Sequence, residues 1–295
     1  MLTVSRAFVV YLVLFCAAFV QAQERFSFFQ ASTPESVTRM LKLAGLRDDD
    51  VLVDLGSGNG LIPLMAAAMT PKLRAWGVDI DEKLVRDSNE AAKAKGVADR
   101  VKFFHRNAFD ADLKEATVIT MWLFPELMRL LRPTILEKAR PGTRVLTSTW
   151  DLGSWPHDET DSGNPTIYKW IVPARIAGFW SWELPIAGRR ISYASIKEQR
   201  FQNVEGVVRA GNHREVLENM KLSGEDISFT VEMTLEEVGV ARQAFKGKVR
   251  GDRIDGTVAV SLKNNQNQKI ELPWRAARTA TSFYFDTTGT TVKTD

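Results

Sequence analysis

Thiol chemistry has almost no place in this chain. Of its 295 residues one is cysteine, Cys16, and it lies in an apolar N-terminal stretch. Once that stretch is removed, disulfides, cysteine-ligated zinc and a thiol nucleophile are all excluded. Histidine is nearly as scarce. His105, His157 and His213 are scattered without ligand spacing, so they read as structural or surface residues, with no metal site. No Ser-His-Asp arrangement can be argued. A basic run with interleaved aromatics is also missing. The net charge of +3 arises from 39 basic and 36 acidic residues. That balance is a solvated surface, and no nucleic-acid partner is expected.

What is present begins with a leader. Arg6 precedes an uninterrupted apolar stretch over residues 7–20, and Val20-Gln21-Ala22 offers compact residues for a signal peptidase. The stretch is shorter than the roughly 20 residues that span a bilayer. Residues 1–22 therefore read as a cleaved signal peptide, which implies an exported or periplasmic protein. An uncleaved N-terminal membrane anchor is the competing reading. Phe15 before Cys16 fits a lipidation site poorly.

With 44% hydrophobic and 25% charged residues, the rest of the chain has the composition and length of two ordinary domains. From Ser32 helix and strand alternate. Thr33-Pro34-Glu35 is a helix start: a hydroxyl cap, a proline at the first position and an acid in the first turn. Val37, Met40, Leu41 and Ala44 make one apolar face, and Gly45 stops the helix. Strands are expected at 51–53, 75–80, 101–104, 116–122 and 144–149. Helices are expected at 61–69, 82–95 and 125–139, the last broken or recapped at Pro133. This order implies parallel pairing with right-handed crossovers. Residues 151–165 read as a loop, and 166–172 as the last strand of the first sheet. Helices then nearly vanish. Short strands are expected at 177–184, 191–201, 204–208, 227–232, 245–249 and 253–262, with turn signals between them. The segments from Gly224 and from Gly251 echo one another, each a turn feeding a strand. The reading is a doubly wound α/β domain over residues 24–174, a smaller all-β barrel or sandwich over 175–278, and a disordered tail over 286–295.

Chemistry is concentrated in Asp54-Leu55-Gly56-Ser57-Gly58-Asn59-Gly60, which follows an apolar strand and opens a helix. Gly56, Gly58 and Gly60 let the backbone approach a ligand, which then meets the N–H groups of the next helix. The spacing is G-x-G-x-G, where a dinucleotide fold prefers G-x-G-x-x-G. Asp54 would repel a diphosphate and suits a ligand carrying an ammonium and a sulfonium. Asp79, at the tip of the second strand, is placed to accept from a ribose diol, with Ile80 packing on adenine. Asp81 reads as a helix cap, and both acids together could be caps. Asn107 and Ala108 follow the third strand, where Asn107 could read an adenine amino group and Ala108 leave room for the ring. After the fourth strand come Trp122 and Glu126. Trp122 is either core packing or a wall for a cationic or planar acceptor. Glu126 is either a base or the first-turn acid of a helix.

The stretch from Thr117 through Met121-Trp122-Leu123-Phe124-Pro125-Glu126 to Pro141-Gly142-Thr143-Arg144-Val145 and Ser148 resembles a bacterial group of class I methyltransferases. Asp151-Leu152-Gly153-Ser154-Trp155 and Trp170-Ile171-Val172-Pro173-Ala174 fit it too. That group carries a signal-like N-terminus and a β-rich C-terminal extension. It is similar to the mitochondrial protein-lysine methyltransferases. The resemblance covers about 33–174. It implies a Rossmann-like methyltransferase fold, S-adenosylmethionine as the methyl donor, and a protein lysine or another amine as acceptor. The donor site would comprise Asp54, Gly56, Ser57, Gly58, Asn59, Gly60, Asp79, Ile80, Asn107 and Ala108, with Trp122 and Glu126 on the acceptor side. Asn59 and Asn107 stand where the family commonly has Asp, and Trp122 where it usually has Tyr. The export signal keeps a second reading open: an exported, catalytically weak or inactive binding module on the same fold.

Overall fold

The computed structural model describes residues 32–263 and 269–280. The signal peptide expected at 1–22 and the disordered tail expected at 286–295 lie outside the described residues. Helix α1 (Pro34–Ala44) begins at Thr33, whose hydroxyl accepts from the Ser36 N–H, and ends at Gly45 in the left-handed region. Then follow β1 (Val51–Leu55), α2 (Leu61–Met69), β2 (Arg74–Asp79), α3 (Glu82–Ala94), β3 (Val101–His105), β4 (Val118–Met121), α4 (Pro125–Lys138), β5 (Arg144–Ser148), β6 (Glu159–Asp161) and β7 (Ile167–Ile171). The sheet order is β3-β2-β1-β4-β5-β7-β6. Strand neighbours reverse their sequence order between β1 and β4, so a ligand crevice opens at the carboxyl edge there. Alternate residues supply the two faces. Val53, Leu55, Ile119 and Met121 pack with Met128, Leu131 and Ile135 of α4, while Leu52, Val118 and Leu146 pack with α1 and α2.

Parallel pairing holds for β1 to β5, but β7 runs antiparallel to both β5 and β6. The return from β5 is a loop with no helix, so nothing imposes a right-handed crossover. Strand β6 lies inside the segment read as a loop. It is three residues at the sheet edge, too short and polar to show a period. Helix α4 also differs from expectation, running unbroken through Pro133. Its buried stripe of Met128, Leu131, Ile135 and Leu136 offsets the roughly 3 kcal/mol that an internal proline costs.

At the amino edge of this sheet a buried network ties the elements together. Asp50 accepts from Thr117 Oγ1 at 2.7 Å and from the Arg47 N–H at 2.7 Å, and it pairs with Arg144. Arg144 donates onward to the Ala44 and Gly45 carbonyls at 2.8 and 2.7 Å.

The second unit is β8 (Gly178–Ile186), β9 (Arg189–Arg200), β10 (Asn203–Ala210), β11 (His213–Val216), β12 (Glu218–Ser223), β13 (Asp226–Leu235), β14 (Gly239–Arg250), β15 (Arg253–Leu262) and β16 (Lys269–Ala280). It is an antiparallel meander in which β16 pairs back onto β8. Only Leu217 separates β11, which pairs with β10, from β12, which pairs with β13. One stretch of chain thus borders both ends of the sheet, and the β unit is a nearly closed barrel. The turn echo is real: Gly224 and Gly251, both at positive φ, feed β13 and β15. Strands β11, β12 and β16 were not legible. Glu218–Ser223 is mostly exposed, and β16 carries Pro273 with four alanines or arginines in sequence.

Side chains fill the barrel. Trp180, Trp182, Tyr193, Phe229, Phe245 and Trp274 form a continuous aromatic core, with Trp182 stacked on Tyr193 at 5.2 Å and Phe229 on Phe245 at 4.6 Å. Gly247 leaves the space that the Trp274 ring occupies, a Cβ there falling 3.1 Å from it. Lys197 is fully buried among these rings. Its Nζ donates to Ser195 Oγ at 2.9 Å and lies 5.3 Å from the Trp182 centroid and 5.7 Å from that of Phe229. Burial, reinforced by the charge of Arg278, lowers its pKa to about 7.

Two outcomes follow from this packing. Asp50→Ala strands the buried Arg144 guanidinium and is expected to lower unfolding free energy by about 3–5 kcal/mol in denaturant titration. Lys197 has a folded-state pKa below its unfolded value. The penalty for burying its charge is therefore complete below pH 7 and is relieved as pH rises toward 10. Thermal midpoints should climb between pH 7 and 9.5, and Lys197→Met should remove the climb while raising the midpoint at pH 7.

Candidate active site

The carboxyl edges of β1, β2 and β4 meet at the point where strand order reverses. Asp54 is buried in β1 between Gly77 of β2 and Thr120 of β4. Its Oδ1 accepts from Thr120 Oγ1 at 2.7 Å. Burial pushes the Asp54 carboxyl up to about 7; the Thr120 bond opposes this and the Asp79 charge adds to it. Gly56, Gly58 and Gly60 all lie at positive φ, 78°, 52° and 74°. A Cβ on Gly56 would come 2.4 Å from Leu123 Cδ2, and one on Gly60 2.6 Å from the Phe103 ring. The loop thus requires glycine both for its conformation and for its fit against neighbouring side chains.

Asp79 braces this loop. Its Oδ2 accepts from the Gly58 N–H at 2.7 Å and its Oδ1 from the Asp81 N–H at 2.9 Å. A carboxylate has about four acceptor sites, so capacity for a diol remains. Asp81 caps α3, accepting from the Lys83 and Leu84 N–H groups. Ile80 is exposed beside Asp79. Asn107 caps a short 3-10 turn over Ala108–Asp110, its Oδ1 accepting from the Phe109 N–H at 3.1 Å. Ala108 is half-buried in that turn.

These residues fit a donor with an amino-acid end and a nucleoside end. Helix α2 starts at Gly60 with no side-chain cap bond; only Asn59 Oδ1 reaches in, accepting from the Leu61 N–H at 3.3 Å. Its first-turn N–H groups favour a carboxylate. The Ser57 hydroxyl is buried against Gly77 of β2, without a partner among the described residues. Asp54 and Asp79 add negative potential for a cation, and Ile80 offers an apolar face.

On the acceptor side Trp122 is half-buried and Glu126 is exposed in the first turn of α4. Two further aromatics belong to the family-like segments but had no role assigned from the sequence. Phe124 and Trp150 remain 44% and 38% exposed, and they stack on one another at 6.2 Å. The chain reaches Trp150 through Thr149 at φ 74°, a conformation costly for a β-branched residue. Thr147 Oγ1 holds the turn, donating to the Trp150 carbonyl at 2.6 Å. A strained, hydrogen-bonded turn at a strand's carboxyl edge is the signal that marks this pair, and it exists only in three dimensions.

Residues 54–159 match the family model of the ANTKMT methyltransferase domain. The protein-lysine N-methyltransferase of Saccharolobus islandicus strain REY15A is 34% identical over 146 residues, 48% of this chain and 91% of that one. The chain belongs to the ANTKMT methyltransferase family. This family member is an S-adenosylmethionine-dependent methyltransferase. A ribosomal protein L11 methyltransferase of Actinobacillus succinogenes is 34% identical over 90 residues, 30% of each chain. An RNA methyltransferase of Salinibacter ruber, solved with S-adenosyl-L-homocysteine, is 40% identical and covers 50% of this chain and 96% of its own, with a TM-score of 0.49. Relatives named as methyltransferases lend no support to the inactive binding module. The barrel lies beyond the matched residues.

Because the Asp54 carboxyl sits near 7, a cationic ligand beside it must draw it into the ionised form. Affinity for S-adenosyl-L-homocysteine should therefore fall as pH drops below 7, by up to about tenfold per pH unit, with proton release on binding. Titration calorimetry between pH 5.5 and 8.5 checks this. Thr120→Val, which removes the bond that favours the carboxylate, should move the break to higher pH.

Proposed function

We propose that this methyltransferase modifies the side-chain amine of a protein lysine, admitted between Trp122, Phe124 and Trp150. The donor lies across Asp54, Gly56, Ser57, Gly58, Asn59, Gly60, Asp79, Ile80, Asn107 and Ala108. S-adenosylmethionine supplies a methyl group made electrophilic by its sulfonium. The chain's own contribution is positioning. The uncapped α2 terminus and Ser57 hold the amino-acid end. Asp79 keeps the glycine loop in place while accepting from the ribose, and Ile80, Asn107 and Ala108 border the base.

The observation that carries the acceptor reading is the exposed Phe124–Trp150 stack at the carboxyl edge of β4 and β5. Aromatic faces attract an ammonium and pack along its aliphatic stem, which suits lysine better than a small anionic or apolar acceptor. The relative from Saccharolobus islandicus, named for lysine methylation, supports the same class. The amine must lose its proton before it forms the N–C bond. Glu126, exposed in the first turn of α4 two residues after Phe124, serves as a helix-terminus charge or as the proton's first acceptor.

Transfer of labelled methyl to lysine-containing peptides, with arginine- and glutamine-substituted controls, tests the acceptor. Trp150→Ala should lower kcat/KM by about 10- to 100-fold with donor affinity within twofold of wild type. Equal labelling of the substituted controls would refute lysine as the acceptor.

A further inference from the structure

Beyond the aromatic pair the β5 loop leads into a cleft of about 360 Å³, lined by Gly153, Ser154, Pro156, Arg200, Phe201 and Asn203. It lies at the seam between the two units. Trp155 of the loop stacks on Phe201 at the end of β9 at 5.9 Å and donates to Gln202 at 3.0 Å. Arg132 of α4 reaches the same place. Its guanidinium sits 5.6 Å from the Phe201 ring centroid and donates to the Leu152 carbonyl at 2.7 Å and to Ser154 Oγ at 3.1 Å. Arg129, one turn earlier, lies beside Gly153.

Arg200 therefore lines the cleft, Arg132 and Arg129 border its Ser154 and Gly153 edge, and the three charges are poorly offset. Neither Arg132 nor Arg200 has a carboxylate partner among the described residues. Arg129 has Asp151 at 3.9 Å, with both side chains about half exposed, a pair of little strength. The Arg132 Nε is buried with no acceptor. Burial lowers the Arg132 pKa, and the neighbouring charges of Arg129 and Arg200 lower it further. An array of cations brought together without counter-charge is relieved by an anion.

We propose that this cleft is a specificity site that receives an acidic side chain of the acceptor polypeptide, next to the lysine being methylated. The proposal rests on the lysine reading above. Trp150 and Gly153 are three residues apart, at most about 10 Å of chain. An extended peptide with its lysine against Trp150 would thus bring a residue about three positions away into the cleft. An arginine fork suits a carboxylate in bidentate fashion. A nucleic acid would instead call for a basic groove that tracks many phosphates, and the near balance of 39 basic against 36 acidic residues argues against one.

The test uses the full-length protein with S-adenosyl-L-homocysteine for binding and S-adenosylmethionine for transfer. Two labelled peptides carry a single lysine flanked three residues away on each side by glutamate or by glutamine. Binding is read by fluorescence anisotropy and transfer by mass spectrometry. Wild type should favour the glutamate peptide by roughly tenfold. Arg200→Gln should reduce that ratio below threefold, and Arg200→Lys should restore part of it. Equal binding of the two peptides by wild type, or a preference that survives Arg200→Gln, would overturn the proposal. So would an RNA oligonucleotide that outcompetes the glutamate peptide and loses affinity in the same variant. Arg200-dependent preference without methyl transfer would leave the cleft standing and remove the lysine reading. Lysine methylation indifferent to glutamate would do the reverse.

Discussion

The Asp50 carboxylate anchors the α/β unit from below. It sits immediately before β1, and its partners come from the α1 terminus, from the residue before β4 and from the first residue of β5. Three elements distant in sequence are thereby fixed in register at the amino edge of the sheet. Thr117 closes the set by accepting from the Val51 N–H and donating to Asp50. With the lower edge fixed, the short strands β1 and β4 deliver Asp54 and Thr120 side by side at the upper edge. Donor chemistry depends on that alignment, because a one-residue slip would turn Asp54 to the other face of the sheet.

Much of the candidate donor site's backbone framework was legible because its signals are local. A run of glycines between an apolar strand and a helix needs no tertiary information, and the acid at the tip of β2 follows at a known interval. What the sequence could not reveal is how each side chain divides its bonds. Asp79 read as a ribose acceptor or, with Asp81, as a cap; in the fold one oxygen braces Gly58 and the other the Asp81 N–H. Asn107 read as a turn residue whose position could let it read a base, and its oxygen does cap a turn. These uses leave capacity for a ligand, because carboxylate and amide groups offer several acceptor or donor positions.

The acceptor side was less legible for a physical reason. Phe124 and Trp150 lie 26 residues apart in number and meet only because β4 and β5 are neighbours. Nothing in the local pattern of either segment announces the contact. The same holds for Arg129, Arg132 and Arg200, two on one helix and the third on the barrel. Periodicity also misled where packing overrode it. Pro133 suggested a break that the buried face of α4 does not allow, and the polar β6 carried no alternation to detect.

The barrel's construction bears on what it does for the site. Its interior is filled with large aromatics and a buried lysine, so it is a rigid body and not a container for a ligand of comparable size. A rigid body contributes at its surface, and the surface that meets the α/β unit is the end of β9. There Phe201 is clamped between Trp155 and Arg132. Gln202 bridges to both Trp155 and the Pro156 carbonyl. These contacts hold the loop that carries Trp150, so the barrel stiffens the proposed acceptor wall and places Arg200 in the neighbouring cleft. A donor domain alone would leave that loop held by β5, Arg132 of α4 and Trp170 of β7, without the Phe201 and Gln202 contacts. Joining it to a stiff barrel fixes the loop from a second side and supplies the surface that the proposed acceptor chain would meet.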